Sequence, residues 1–122
     1  MNYKGTIIEE SLKDTGVLKD VKILSSRVSL VTEEHKTPWV KQWTLHEVEI
    51  PEAAAAAVAE KIGRGLDGDH SWYADFRNDE FHFVIFPNKV FKIDRQNPVE
   101  NAAAINYALS INIPAHQLDW TP

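Results

Sequence analysis

Within Ser71 to Asp94, SWYADFRNDEFHFVIFPNKVFKID, the grouping with the types for shared proton chemistry is Asp75, His82 and Asp94. Carboxylates flanking an imidazole favour its charged form and fix its orientation, which suits a general acid or base. Tyr73 has the parity of Asp75, and Lys92 that of Asp94, so both join the cluster if the three groups share a sheet face. The bland alternative is an exposed face decorated with compensating charges, since ion-paired groups are often only structural. A metal held by the same residues is disfavoured, because histidine ligands usually come in larger sets.

Whether the three meet depends on register. Strands alternate their side chains, so Trp72, Ala74 and Phe76 point one way and Tyr73, Asp75 and Arg77 the other. In the next run Phe81, Phe83 and Ile85 form one set, His82, Val84 and Phe86 the second. Asn78-Asp79 reads as a two-residue hairpin loop, which places Asp75 opposite His82 and Phe76 opposite Phe81. For the next turn, Pro87-Asn88-Lys89, a three-residue loop keeps Lys92 and Asp94 off the aromatic face, because burying unpaired charge is costly. His82 is then expected opposite Asp94 as well. Val84, Phe86 and Val90 are left as an apolar patch on the outer face.

The remaining elements follow from periodicity and punctuation. Tyr3 to Glu10 reads as a strand, with a turn at Lys13-Asp14-Thr15-Gly16. In Val21 to Val31 the set Leu24, Ser26, Val28 and Leu30 shares a face; Val21 and Ile23 are out of phase, which predicts a bulge near Ile23 and Leu24. Trp43 to Ile50 is a third strand whose phase also shifts, between Trp43/Leu45 and Val48/Ile50. Pro51 to about Gly63 is predicted helical, with Ala55, Val58, Ala59 and Ile62 as its inner stripe. Asn97 caps a second helix running from Pro98 to about Ser110, with Val99, Ala103, Tyr107 and Leu109 expected inward. Leu118 and Trp120 in the tail are expected to pack back on the domain. The order βββαβββα predicts a single α+β domain over residues 1–122: a mainly antiparallel sheet of about five or six strands, with two helices on one face.

Composition limits the function classes. At 122 residues the chain has length for one core. Its net charge of −5 argues against nucleic acid as a partner, since grip on phosphates comes from clustered Lys and Arg. Phe81 to Phe86 echoes the aromatic half of an RNA-recognition strand, yet Asp79-Glu80 stands where that signature needs basic residues and glycine. Zero cysteines exclude disulfides and thiolate chemistry. No segment has the length and apolarity of a signal peptide or a membrane span, so a cytoplasmic location and no membrane partner are expected.

Asp67-Gly68-Asp69 fails as a calcium loop, because the sixth position is Trp72 and the twelfth Asn78. Phosphate-binding glycine loops, the nucleophile elbow and the zinc-protease helix are all missing, and no cofactor is expected. His35, Trp39 and Trp43 frame a polar loop that could line a ligand cleft, although core anchoring is the usual role for tryptophan. His70, where the linker meets a strand, reads as a hydrogen-bonded strand terminus.

In HSWYADF, FVIFPNKVFKID and NIPAHQLDW the chain resembles small prokaryotic proteins of unassigned function, a resemblance that implies no activity and no catalytic residue. The leading expectation is a small binding or interaction domain for a protein or small-molecule ligand, engaged through the sheet face or the His35 to Trp43 loop. An acid/base enzyme using His82 with Asp75 and Asp94 is the alternative. A homodimer formed through an open sheet edge or the outer face is a third reading.

Overall fold

A computed structural model describes residues 1–30, 40–69, 72–113 and 118. Six strands form one antiparallel sheet: β1 (Tyr3–Ile8), β2 (Lys22–Leu30), β3 (Gln42–Ile50), β4 (Ala74–Arg77), β5 (Phe81–Phe86) and β6 (Lys89–Asp94), in the spatial order β2-β3-β1-β4-β5-β6. Two helices complete it, α1 (Ala55–Gly65) and α2 (Pro98–Ser110). The α+β class and the order of elements are those the sequence predicts.

The sheet has two halves joined at β1 and β4, which share three paired positions: Lys4 with Arg77, Gly5 with Phe76 and Thr6 with Asp75. Gly5 is needed at this seam. A Cβ there would stand 2.1 Å from the Asp75 carbonyl oxygen and 2.6 Å from the Phe76 Cα.

The helices lie on opposite faces, not on one. The α1 stripe Ala55, Val58, Ala59 and Ile62 packs on Tyr3, Ile7, Val48, Ile50, Phe76, Phe83 and Ile85. Across the sheet, Ala104 and Ala108 of α2 close over Val84, Phe86 and Ile93 in a second core. Each fully buried Phe or Ile contributes roughly 1.5–3 kcal/mol by leaving water. The inner face of α2 is Asn101, Ala104 and Ala108; Val99 and Leu109, expected inward, are exposed. The cause is legible in AAAINYALS, which is apolar at nearly every position and sets no phase.

One wrong premise, a single covered face, also explains the second hairpin. The turn after β5 has two residues, Pro87 and Asn88, with Phe86 paired to Lys89, Val84 to Phe91 and His82 to Ile93. Asn88 takes a left-handed φ of 57°, a conformation asparagine tolerates after proline. Phe91 and Ile93 therefore enter the core beneath α2, while Lys92 and Asp94 go to the α1 face. Their charges stay exposed there because β6 is an edge strand. Lys92 rests its ammonium over the Phe81 ring at 4.3 Å.

The first hairpin is displaced by one residue. Arg77 pairs with His82 and Asp75 with Val84, so the reversal falls on Asp79 and Glu80. Asn78 drives the displacement: its Oδ1 accepts the N–H groups of Glu80 and Phe81 at 2.9 and 2.8 Å.

Candidate functional site

Of the five residues of the sequence-derived cluster, the structure brings Asp75 and His82 together. They are diagonal across β4 and β5, and His82 Nε2 meets Asp75 Oδ2 at 2.7 Å. A carboxylate only accepts, so Nε2 carries the proton and donates it. Asp75 is partly exposed, but His82 is 1% exposed. Tyr73 stays on this side, its ring 6.1 Å from that of Phe86 in the second core.

Asp94 and Lys92 are on the other face of the sheet and do not approach His82. Asp94 instead shapes the entry to α2: its N–H donates to Glu100 Oε2 at 2.7 Å, and its Oδ1 accepts from the Gln96 N–H at 2.9 Å. The expected outer patch is also absent as such. Val84 and Phe86 are sealed by α2, and Val90 is partly buried against the α1 core.

Of the loop residues, Trp43 belongs to β3 and sets its ring 5.8 Å from Trp72 beside the first core. His35 and Trp39 lie outside the described residues, as do His70 and Trp120.

A second histidine–carboxylate pair, which the sequence reading passes over, occupies the other half of the sheet. His46 lies in β3, opposite Ile7 of β1 on one side and Ser26 of β2 on the other. Its Nδ1 is 2.7 Å from Ser26 Oγ and its Nε2 is 3.1 Å from Glu9 Oε1. Glu9 belongs to the 3-10 turn Glu9–Ser11 that follows β1. The turn is pinned to β3 by Glu10, which accepts from both Thr44 N (2.5 Å) and Thr44 Oγ1 (2.7 Å). Ser11 Oγ secures its other end on the Ile8 carbonyl oxygen.

Proton placement follows from donor and acceptor capacity. With Glu9 accepting, Nε2 of a neutral His46 holds the hydrogen, Nδ1 is bare, and the Ser26 hydroxyl donates to it. The imidazole is 8% exposed, whereas Ser26 lies on the surface. No local motif announces this chain, because its members are 17 and 20 positions apart and meet only through strand pairing. The one sequence signal is parity: His46 shares the face of Val48 and Ile50 and must be satisfied there.

Around these residues β2 is exposed almost throughout. Leu24, Val28 and Leu30 are 46%, 59% and 77% exposed, and Ile23 is also open. The bulge predicted near Ile23 and Leu24 occurs between Ile23 and Ser25. The opposite edge strand, β6, is shorter and carries Lys89, Lys92 and Asp94 among six residues. Among the described residues no group of three or more His, Cys, Asp or Glu could hold a metal ion, and no helix is long and apolar enough to cross a membrane.

Comparison with known proteins supplies no template for this arrangement: no family model, curated protein or solved structure matches the chain.

Proposed function

We propose that the protein is a small interaction domain whose binding surface is the outer strand β2, and that the partner seated there is a second copy of the chain. The supporting observation is the nine-residue edge with Ile23, Leu24, Val28 and Leu30 open to water. Unpaired strand edges template further pairing unless charge guards them. Lys22 and Arg27 are the only charges in β2, and Lys22 already faces Glu49 across the β2–β3 pair.

The strand is also complementary to itself. Antiparallel pairing about a two-fold axis at Ser26 sets Leu24 opposite Val28 of the other copy, twice, and Arg27 opposite Ser25. No like charges oppose one another in that register. The result is a continuous sheet across both copies, held by backbone hydrogen bonds and two apolar pairs.

Light scattering at rising concentration tests this. The wild type is expected to approach twice the 13.9 kDa chain mass, and Val28→Lys, an exposed substitution that leaves both cores untouched, is expected to remain a folded monomer. A wild-type chain that stays monomeric at about 1 mM, a concentration at which interfaces of only ~4 kcal/mol assemble, would overturn the proposal.

A further inference from the structure

The hydrogen-bond chain from Glu9 through His46 to Ser26 has a consequence that strand pairing does not require. We infer that Ser26 is an activated nucleophile that accepts an acyl group from esters with a small apolar acyl part.

A serine hydroxyl becomes a nucleophile when a base takes its proton during attack and a third group orients that base. All three parts stand in order here. Nδ1 of His46 is 2.7 Å from Ser26 Oγ, within reach for proton transfer, and Glu9 holds the far nitrogen at 3.1 Å. The base is oriented because its neighbours are rigid: Ile7, paired with it on β1, is fully buried, and Glu10 clamps the Glu9 turn to Thr44. Screening of His46 from water strengthens its two hydrogen bonds, while exposure of Ser26 lets a substrate approach.

Substrate class follows from the surroundings. Val28, two residues along β2 on the side of Ser26, is open and apolar, as is Leu24 beside the bulge. In the step, Ser26 Oγ bonds to the acyl carbon as its proton passes to His46 Nδ1. The bond from that carbon to the alcohol oxygen breaks, and His46 returns the proton to the departing alkoxide. The products are an ester on Ser26 and a free alcohol, and His46 ends neutral. In a dimer paired about Ser26, Leu24 and Val28 of the two copies flank the serine on either side, so its apolar surroundings persist on pairing.

Ser25 and Ser29 share the strand and are internal controls. The wild-type chain treated with p-nitrophenyl butyrate is expected to gain the butyryl group at Ser26 about 100-fold faster than at Ser25 or Ser29, read by peptide mass spectrometry. His46→Gln is expected to bring Ser26 down to the level of its neighbours, with circular dichroism confirming the fold. Equal labelling of the three serines in the wild type would overturn the inference without recourse to any variant. So would a folded His46→Gln chain whose Ser26 still reacts at the wild-type rate.

Discussion

His82 and His46 each set Nε2 against a carboxylate oxygen, at 2.7 and 3.1 Å, yet they lie in opposite halves of the sheet. In the half made of β4, β5 and β6, the imidazole is buried on the sheet face that carries Val84 and Phe86, and a part-exposed Asp75 reaches it across the strand pair. In the half made of β2, β3 and β1, the imidazole sits behind an edge strand and its second nitrogen meets a surface hydroxyl. The same two functional groups thus become a core hydrogen bond in one place and a route to the surface in the other. What decides the difference is what lies beside the ring: β5 runs inside the sheet between β4 and β6, whereas His46 stands next to the edge strand β2.

The half of β4, β5 and β6 carries core residues on both faces, and the sharpest way to break the contrast is there. Phe86→Ala removes a fully buried ring that packs on Phe91 and Tyr107, and it is expected to cost about 3–5 kcal/mol in chemical denaturation. Next come the histidines themselves. His82→Ala loses a buried ring and a hydrogen bond to a carboxylate, for about 2–3 kcal/mol, whereas His46→Ala at the open edge is expected to cost about 1 kcal/mol. Equal losses would erase the distinction between the halves.

A smaller effect reads out the first core. Burial, and after it the charge of Glu52, raises the Tyr3 phenol above its ordinary value of 10.0. A group whose folded pKa is raised gives its full stabilisation below the unfolded pKa and loses it as pH climbs through the folded one. Stability should therefore fall above pH 10, and Tyr3→Phe should make that alkaline decline shallower in denaturation curves taken at several pH values.

The sequence carries most of this architecture. Pro51 and the Ala55, Val58, Ala59, Ile62 stripe locate α1, Asn97-Pro98 locates the start of α2, and the phase slip at Ile23 locates the bulge in β2. These signals are local, set by turn chemistry and side-chain period. Face assignment is not local. Nothing in KVFKID says whether Phe91 and Ile93 or Val90 and Lys92 turn toward α1, because both faces are covered and each alternative buries one apolar set. Lys92 escapes the cost of burial, since an edge strand lets its ammonium reach water over Phe81. Asp75 and His82 were legible as a pair because parity survives a one-residue displacement of the turn. Glu9, Ser26 and His46 were not, since their meeting depends on which strands neighbour which.

Amide hydrogen exchange at two protein concentrations tests the division of labour most directly. In β5, protection is expected to be high and independent of concentration, as befits a strand paired on both sides under two cores. In β2, the outward amides are expected to be weakly protected in dilute solution and to gain protection as concentration rises. Exchange in β2 that is already slow when dilute, or that ignores concentration altogether, would contradict an open edge that recruits a second copy.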